Sequence, residues 1–182
     1  MSYPVVIYNE EHNINDEFGP ADAQKLRNCC ALVHTQLESR EMDEPDNTDP
    51  VRIPLILIEY TVADYKAAMD YLKRKNFAPE EYGKCISAEM TKNVQDSEDA
   101  NLVGAETGFE GMKSVRSLLK CASYLQITSL MTLCYLKVAS CIYIDTNESG
   151  AVDKVKQAFN IDGNYTIETE TNLKTKYPFL NE

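Results

Sequence analysis

Ser129-Leu130-Met131-Thr132-Leu133-Cys134-Tyr135-Leu136-Lys137-Val138-Ala139-Ser140-Cys141-Ile142 is the stretch on which the fold turns. Its spacing predicts a helix from about Ser129 to Ile142 that is apolar over much of its circumference. Such a helix is either buried between two layers or offered to a partner. Just upstream, Val115, Leu118, Leu119, Ala122 and Leu125 recur at helical spacing and predict a second helix packed beside it. Downstream, Val152, Val155 and Phe159 stripe a short helix that ends by Gly163, where a left-handed cap costs little. Thr166 can cap a last helix, with Glu168 and Glu170 near its positive end and Lys174 and Lys176 near its negative end. Tyr177-Pro178-Phe179-Leu180 then leaves large apolar groups where chains are normally polar. Those groups must fold back on the body or be covered by another protein.

The N-terminal half reads differently. Val5-Val6-Ile7-Tyr8 is a β-branched run, the polar Asn9–Asn13 segment turns the chain, and Ile14 to Phe18 returns it as a hairpin. Leu26, Cys29, Cys30, Val33 and Leu37 form an amphipathic stripe predicting one helix, entered through Gly19-Pro20. An acidic loop from Glu38 to Asp49 leads to Val51–Tyr60, which is β-leaning but kept from a central position by Pro50 and Pro54. Thr61 and Asp64 form a capping box for a helix that buries Val62, Tyr65, Met69 and Leu72. Residues 78–111 hold four of the seven glycines and eight acids against Lys84 and Lys92. With so little apolar content, that stretch is expected to be a long, disordered acidic loop.

Composition narrows the function. The 182 residues carry 29 acids against 18 Lys and Arg, a net charge of −11, so a nucleic-acid partner is not expected. No run of about 18 apolar residues exists, so no membrane partner is expected, and the N-terminal residues do not read as a signal peptide. The six cysteines lack metal-ligand spacing, and unpaired thiols suit a reducing compartment, cytoplasmic or nuclear. With only His12 and His34, neither a zinc site nor a histidine triad is well supplied. Cys29-Cys30 reads as core rather than a redox pair, and His34 as a surface residue. The expectation is a non-enzymatic binding module with no catalytic residues, no metal and no cofactor.

Several elements then become specific. Cys121-Ala122-Ser123-Tyr124-Leu125-Gln126-Ile127, Val138-Ala139 with Ile142, and Lys154-Val155-Lys156-Gln157-Ala158-Phe159-Asn160-Ile161 resemble the S-phase kinase-associated protein one family. Leu37-Glu38, Met42-Asp43-Glu44 and Asp49-Pro50-Val51-Arg52-Ile53-Pro54 resemble that family's acidic loop and third strand, so the resemblance covers nearly the whole chain. It implies an α/β fold: a BTB/POZ domain over residues 1–144, with the acidic loop at about 78–111, and a helical, F-box-binding extension over 145–182. It implies an adaptor of an SCF-type cullin–RING ubiquitin ligase, with F-box proteins and a cullin as partners. Ser123 and Tyr124 would face the cullin. Met131, Tyr135, Val138 and Ile142, followed by Phe159, Ile161 and Phe179, would line the F-box groove.

The departures are concrete. Ser123 stands where the family usually has Asn, and a lost interfacial hydrogen bond costs about 0.5–1.5 kcal/mol. Phe179-Leu180 replaces a Trp-Cys pair, Arg116 and Lys120 are basic, and extra chain lies at about Ile144–Gly150. These changes motivate an alternative: a cullin-independent assembly protein using the BTB surface for self-association, as a homodimer when free, or for an F-box-type complex.

Overall fold

The computed structural model describes residues 3–44, 47–78, 81–143 and 150–159, with Thr171 and Thr175 beyond them. Its strands are β1 (Val5–Asn9), β2 (Ile14–Phe18) and β3 (Val51–Pro54), in the order β2-β1-β3. β2 runs antiparallel to β1, with Val5 opposite Phe18, and β3 runs parallel, with Val5 opposite Val51. Val5, Val6 and Ile7 are all buried because β1 is the central strand. The proline of β3 sits on an edge strand, where a missing donor costs least. Asn9 ties the sheet together: its Nδ2 donates to the Leu55 carbonyl at 2.8 Å, and its Oδ1 accepts from the His12 N–H at 2.9 Å.

The parallel pairing needs a crossover, which α1 (Pro20–Cys29) and α2 (Ala31–Asp43) supply. The single helix expected here is therefore two. Cys30 leaves helical geometry at φ −127° and is fully buried. Its Sγ–H donates to the Leu125 carbonyl at 2.9 Å, and the Ala31 N–H donates to the Gln126 carbonyl at 3.3 Å. The break docks this corner onto another part of the chain, which a local hydrophobic period cannot reveal. Arg27 on α1 then holds Glu41 on α2 through two bonds of 2.8 and 3.1 Å.

The capping box is present at the start of α3 (Val62–Arg74). Asp64 accepts from the Thr61 N–H and hydroxyl at 2.8 and 2.6 Å, and from the Ser117 hydroxyl at 2.6 Å, so the cap also ties α3 to the next long helix. Burial pushes the Asp64 carboxyl upward, but these donors outweigh it and hold it below its ordinary value. α6 (Gly108–Leu125) and α7 (Thr128–Cys141) form an antiparallel hairpin turned at Gln126, and α8 (Ala151–Ala158) follows. A small N-terminal sheet with helices, followed by C-terminal helices, is consistent with the BTB/POZ fold.

The acidic stretch departs from expectation. Rather than a disordered loop over 78–111, it contains α4 (Met90–Asn93) and α5 (Ser97–Leu102), while residues from Gly108 onward already belong to α6. Met90, Val94, Ala100 and Val103 are buried. The segment is ordered in part because its acids find cations elsewhere in the chain: Asp96 and Asp99 both pair with Arg74 and Lys75 at the end of α3, and Glu98 pairs with Arg74. The final helix expected after Thr166, and its tail, lie outside the described residues.

Candidate partner-binding site

α7 has two faces with different fates. Leu130, Leu133, Cys134, Lys137 and Cys141 are buried against the body. On the other side, Met131, Tyr135, Val138 and Ile142 follow one another at i, i+4, i+7 and i+11, which aligns them on one stripe. Met131 and Val138 are partly buried against the core, whereas Tyr135 is 57% and Ile142 51% exposed. The helix is thus apolar all round for two reasons at once: one face builds the core and the other is left on the surface.

Two glycines shape the end of this stripe. At Gly108, where φ is +60°, a Cβ would lie 2.7 Å from the Ala158 Cβ and 2.9 Å from its carbonyl oxygen. At Gly111 a Cβ would meet the Cys141 Sγ at 2.8 Å. Their bare backbones let the first turn of α6 approach both α8 and the end of α7. Between these elements and the 86–92 segment lies a cavity of about 410 Å³, lined among others by Ile86, Cys141, Tyr143, Val155 and Ala158. Phe159, partly buried, ends α8. Ile161 and Phe179, the other two expected groove residues, lie outside the described residues.

The Ser123–Tyr124 corner is at the opposite end of the α6–α7 hairpin. Ser123 is exposed. The Tyr124 hydroxyl donates to the Pro54 carbonyl at 3.1 Å and accepts from the Ile56 N–H at 3.4 Å, and its ring packs on Tyr60 with centroids 5.6 Å apart. Beside it, Ile58 is 82% and Ile56 49% exposed. Sequence reasoning missed these two isoleucines by reading 51–60 only for its β character. The strand stops at Pro54, and the signal was the apolar run continuing past it. Lys120, a basic departure at this corner, is paired with Glu59 at 2.5 Å.

Burial pushes the Cys134 and Cys121 thiols up to about 12 and the Cys30 thiol to about 11, so they stay protonated and unreactive. Cys29, half-buried, is likewise pushed up to about 12, by burial and then by its neighbour Cys30. His34 is exposed, 3.7 Å from Glu38. Among the described residues, no helix is long and apolar enough to cross a membrane.

No protein-family model matches the chain. It is 24% identical, over 149 residues, to the S-phase kinase-associated protein 1 homolog of Tetrahymena thermophila. That match covers 81% of this chain and 82% of the relative. Together with the mixed α/β fold, this distant but nearly full-length similarity supports membership of the S-phase kinase-associated protein one family, as a divergent member.

Proposed function

We propose that the protein is the adaptor of an SCF-type cullin–RING ubiquitin ligase, carrying an F-box substrate receptor on its C-terminal helices and a cullin on the Ser123–Tyr124 corner. The observation behind this reading is the outward stripe of α7, an apolar and aromatic surface beside a cavity, in a chain similar to that family. Aromatic anchors in such settings are the usual source of binding energy between proteins. On this reading residues 1–144 are the BTB/POZ part, 145–182 complete the F-box groove, and the adaptor acts in the cytoplasm or nucleus. It performs no chemistry of its own; it raises the effective concentration of substrate at the ligase.

Ile56 and Ile58 extend the cullin-facing surface that Tyr124 anchors through Pro54 and Ile56. The Lys120 charge is balanced by Glu59, so this basic departure does not by itself repel a cullin.

The test is calorimetry of the full chain with an F-box helical peptide and, separately, with a cullin N-terminal domain. Micromolar or tighter binding to both is expected, with Tyr135→Ala and Phe179→Ala each weakening the peptide about tenfold or more, the range of an anchor residue. Silence toward a panel of F-box peptides overturns the reading. Peptide binding with silence toward cullins leaves instead the cullin-independent assembly protein.

A further inference from the structure

The segment from Tyr82 to Gly104 is ordered in spite of its composition, and what orders it is unusual. α4 and α5 have four and six residues, too short to persist as helices by themselves. Their buried apolar groups, Met90, Val94, Ala100 and Val103, are few for a segment of this length. Tyr82, Cys85 and Leu102 pack on the core while partly buried, and the Asn93 side chain accepts from the Ile86 and Ser87 N–H groups within the segment. The polar ties that fasten it to other elements are electrostatic and sit at two places.

The first is Asp99, which is 0% exposed. Its carboxylate takes Arg74 at 2.5 Å on one oxygen. On the other it takes Lys75 at 2.7 Å and the Tyr82 hydroxyl at 2.9 Å. Because Tyr82 spends its proton on Asp99, the Tyr71 hydroxyl, 3.0 Å away, is the donor to Tyr82. Asp96 and Glu98 complete the cluster on the same two cations, with Asp96 2.9 Å from Arg74 and 2.7 Å from Lys75 and Glu98 3.0 Å from Arg74. The second place is Lys137 on the inner face of α7, 1% exposed. Its ammonium donates to the Gly104 carbonyl at 2.8 Å and to the Glu106 carbonyl. A buried anion of the segment is therefore gripped by α3, and a buried cation of α7 grips the segment's backbone end.

Ahead of the Asp96–Asp99 cluster in the chain, Ile86, Ser87 and Glu89 wall the cavity whose other side is Cys141, Val155 and Ala158. We propose that residues 82–104 form a charge-latched strap that opens as one unit while the sheet and the α6–α7 hairpin stay folded, with Asp99 as its latch and Lys137 as its far tie. A buried charged group stripped of its partner is costly, so the ties hold or release together rather than fray one by one. Opening bares the Met90 and Val94 contacts and widens access to Cys141, which is 5% exposed on the cavity wall. Local opening of this kind, below the global free energy, is a general property of segments with few apolar contacts. The device stands on the strap's own contacts and does not depend on the identity of any partner.

Native-state hydrogen exchange of the full chain, resolved to peptides, tests it. In the unaltered protein, amides across 90–103 should share one opening rate that responds weakly to low urea, while β1 and α6 amides respond steeply. Asp99→Asn, which keeps volume and removes charge, should speed exchange across 82–103 by tenfold or more and leave β1 and α6 unchanged. Lys137→Met should do the same, and alkylation of Cys141 should rise in parallel in both variants. The proposal is overturned if strap amides in the unaltered protein exchange independently or only with global unfolding. It is equally overturned if the variants speed the strap and β1 alike, or leave both unmoved.

Discussion

Asp96 shows how a single side chain carries part of this molecule's acid sensitivity. The Lys75 ammonium, donating at 2.7 Å, is the main force pulling its carboxyl down to about 2. Burial opposes this, and the Glu98 N–H, at 2.8 Å, adds to it. The folded value is therefore below the unfolded one, near 3.9. The sign follows: the stabilisation is complete above about pH 5 and is lost as pH falls from about 4 to about 2. Urea midpoints measured between pH 2 and pH 6 should fall toward acid, and Asp96→Asn should flatten part of that fall. Equal slopes for the two proteins would show that the carboxyl is not held down in the fold. The side chain is partly exposed, so salt screens the effect, and the comparison belongs at fixed ionic strength.

At the scale of elements, the hairpin of α6 and α7 turns on one residue. Gln126 closes α6 in the left-handed region at φ 55°, ψ 46°, so that the Ile127 N–H reaches the Ala122 carbonyl at 2.9 Å. A left-handed residue with a Cβ costs about 1–2 kcal/mol, of which the extra freedom of an unfolded glycine returns about 0.5–1. Gln126→Gly should therefore raise stability by up to about 1.5 kcal/mol, read as a higher urea midpoint at unchanged slope. A lower midpoint would mean that the glutamine side chain contributes more than its backbone costs. The period of apolar residues makes this helical hairpin legible, as the β-branched run does β1, the polar turn β2 and the Thr61-to-Asp64 spacing the cap, because each rests on neighbours in sequence. The same reading ran α1 and α2 together, since the stripe through Leu26, Val33 and Leu37 continues unbroken across Cys30. What breaks the helix is a thiol and an amide reaching Leu125 and Gln126, far along the chain. The acidic segment was misread for a related reason. Its composition predicts disorder only if its charges remain in water, and Asp99 meets Arg74 and Lys75 instead. For α7 the sequence left two readings open, burial or display, and only the packing of Leu133 and Cys134 against the body shows that Tyr135 is on the displayed side.

At the scale of the whole molecule, the proposed adaptor role requires two partners to be held without one contact disturbing the other. The hairpin offers a way to separate them. Tyr124 and its exposed neighbours Ile56 and Ile58 stand at the turn end, while Ile142, the Gly108 and Gly111 approaches and α8 stand at the other. α7 has 14 residues, so these ends are about 20 Å apart at 1.5 Å per residue. Substitutions with no shared partners more than about 10 Å apart act additively. Ile58→Ser should therefore weaken the cullin N-terminal domain and leave the F-box peptide unchanged, while Ile142→Ser does the reverse. Both side chains are exposed, so neither change should move the melting temperature by more than a degree or two. In size-exclusion chromatography the unaltered chain should carry both partners in one peak, and each variant should release only its own. A variant that loses both partners while remaining folded would show that the two surfaces are one, and the protein could not then serve as a bridge.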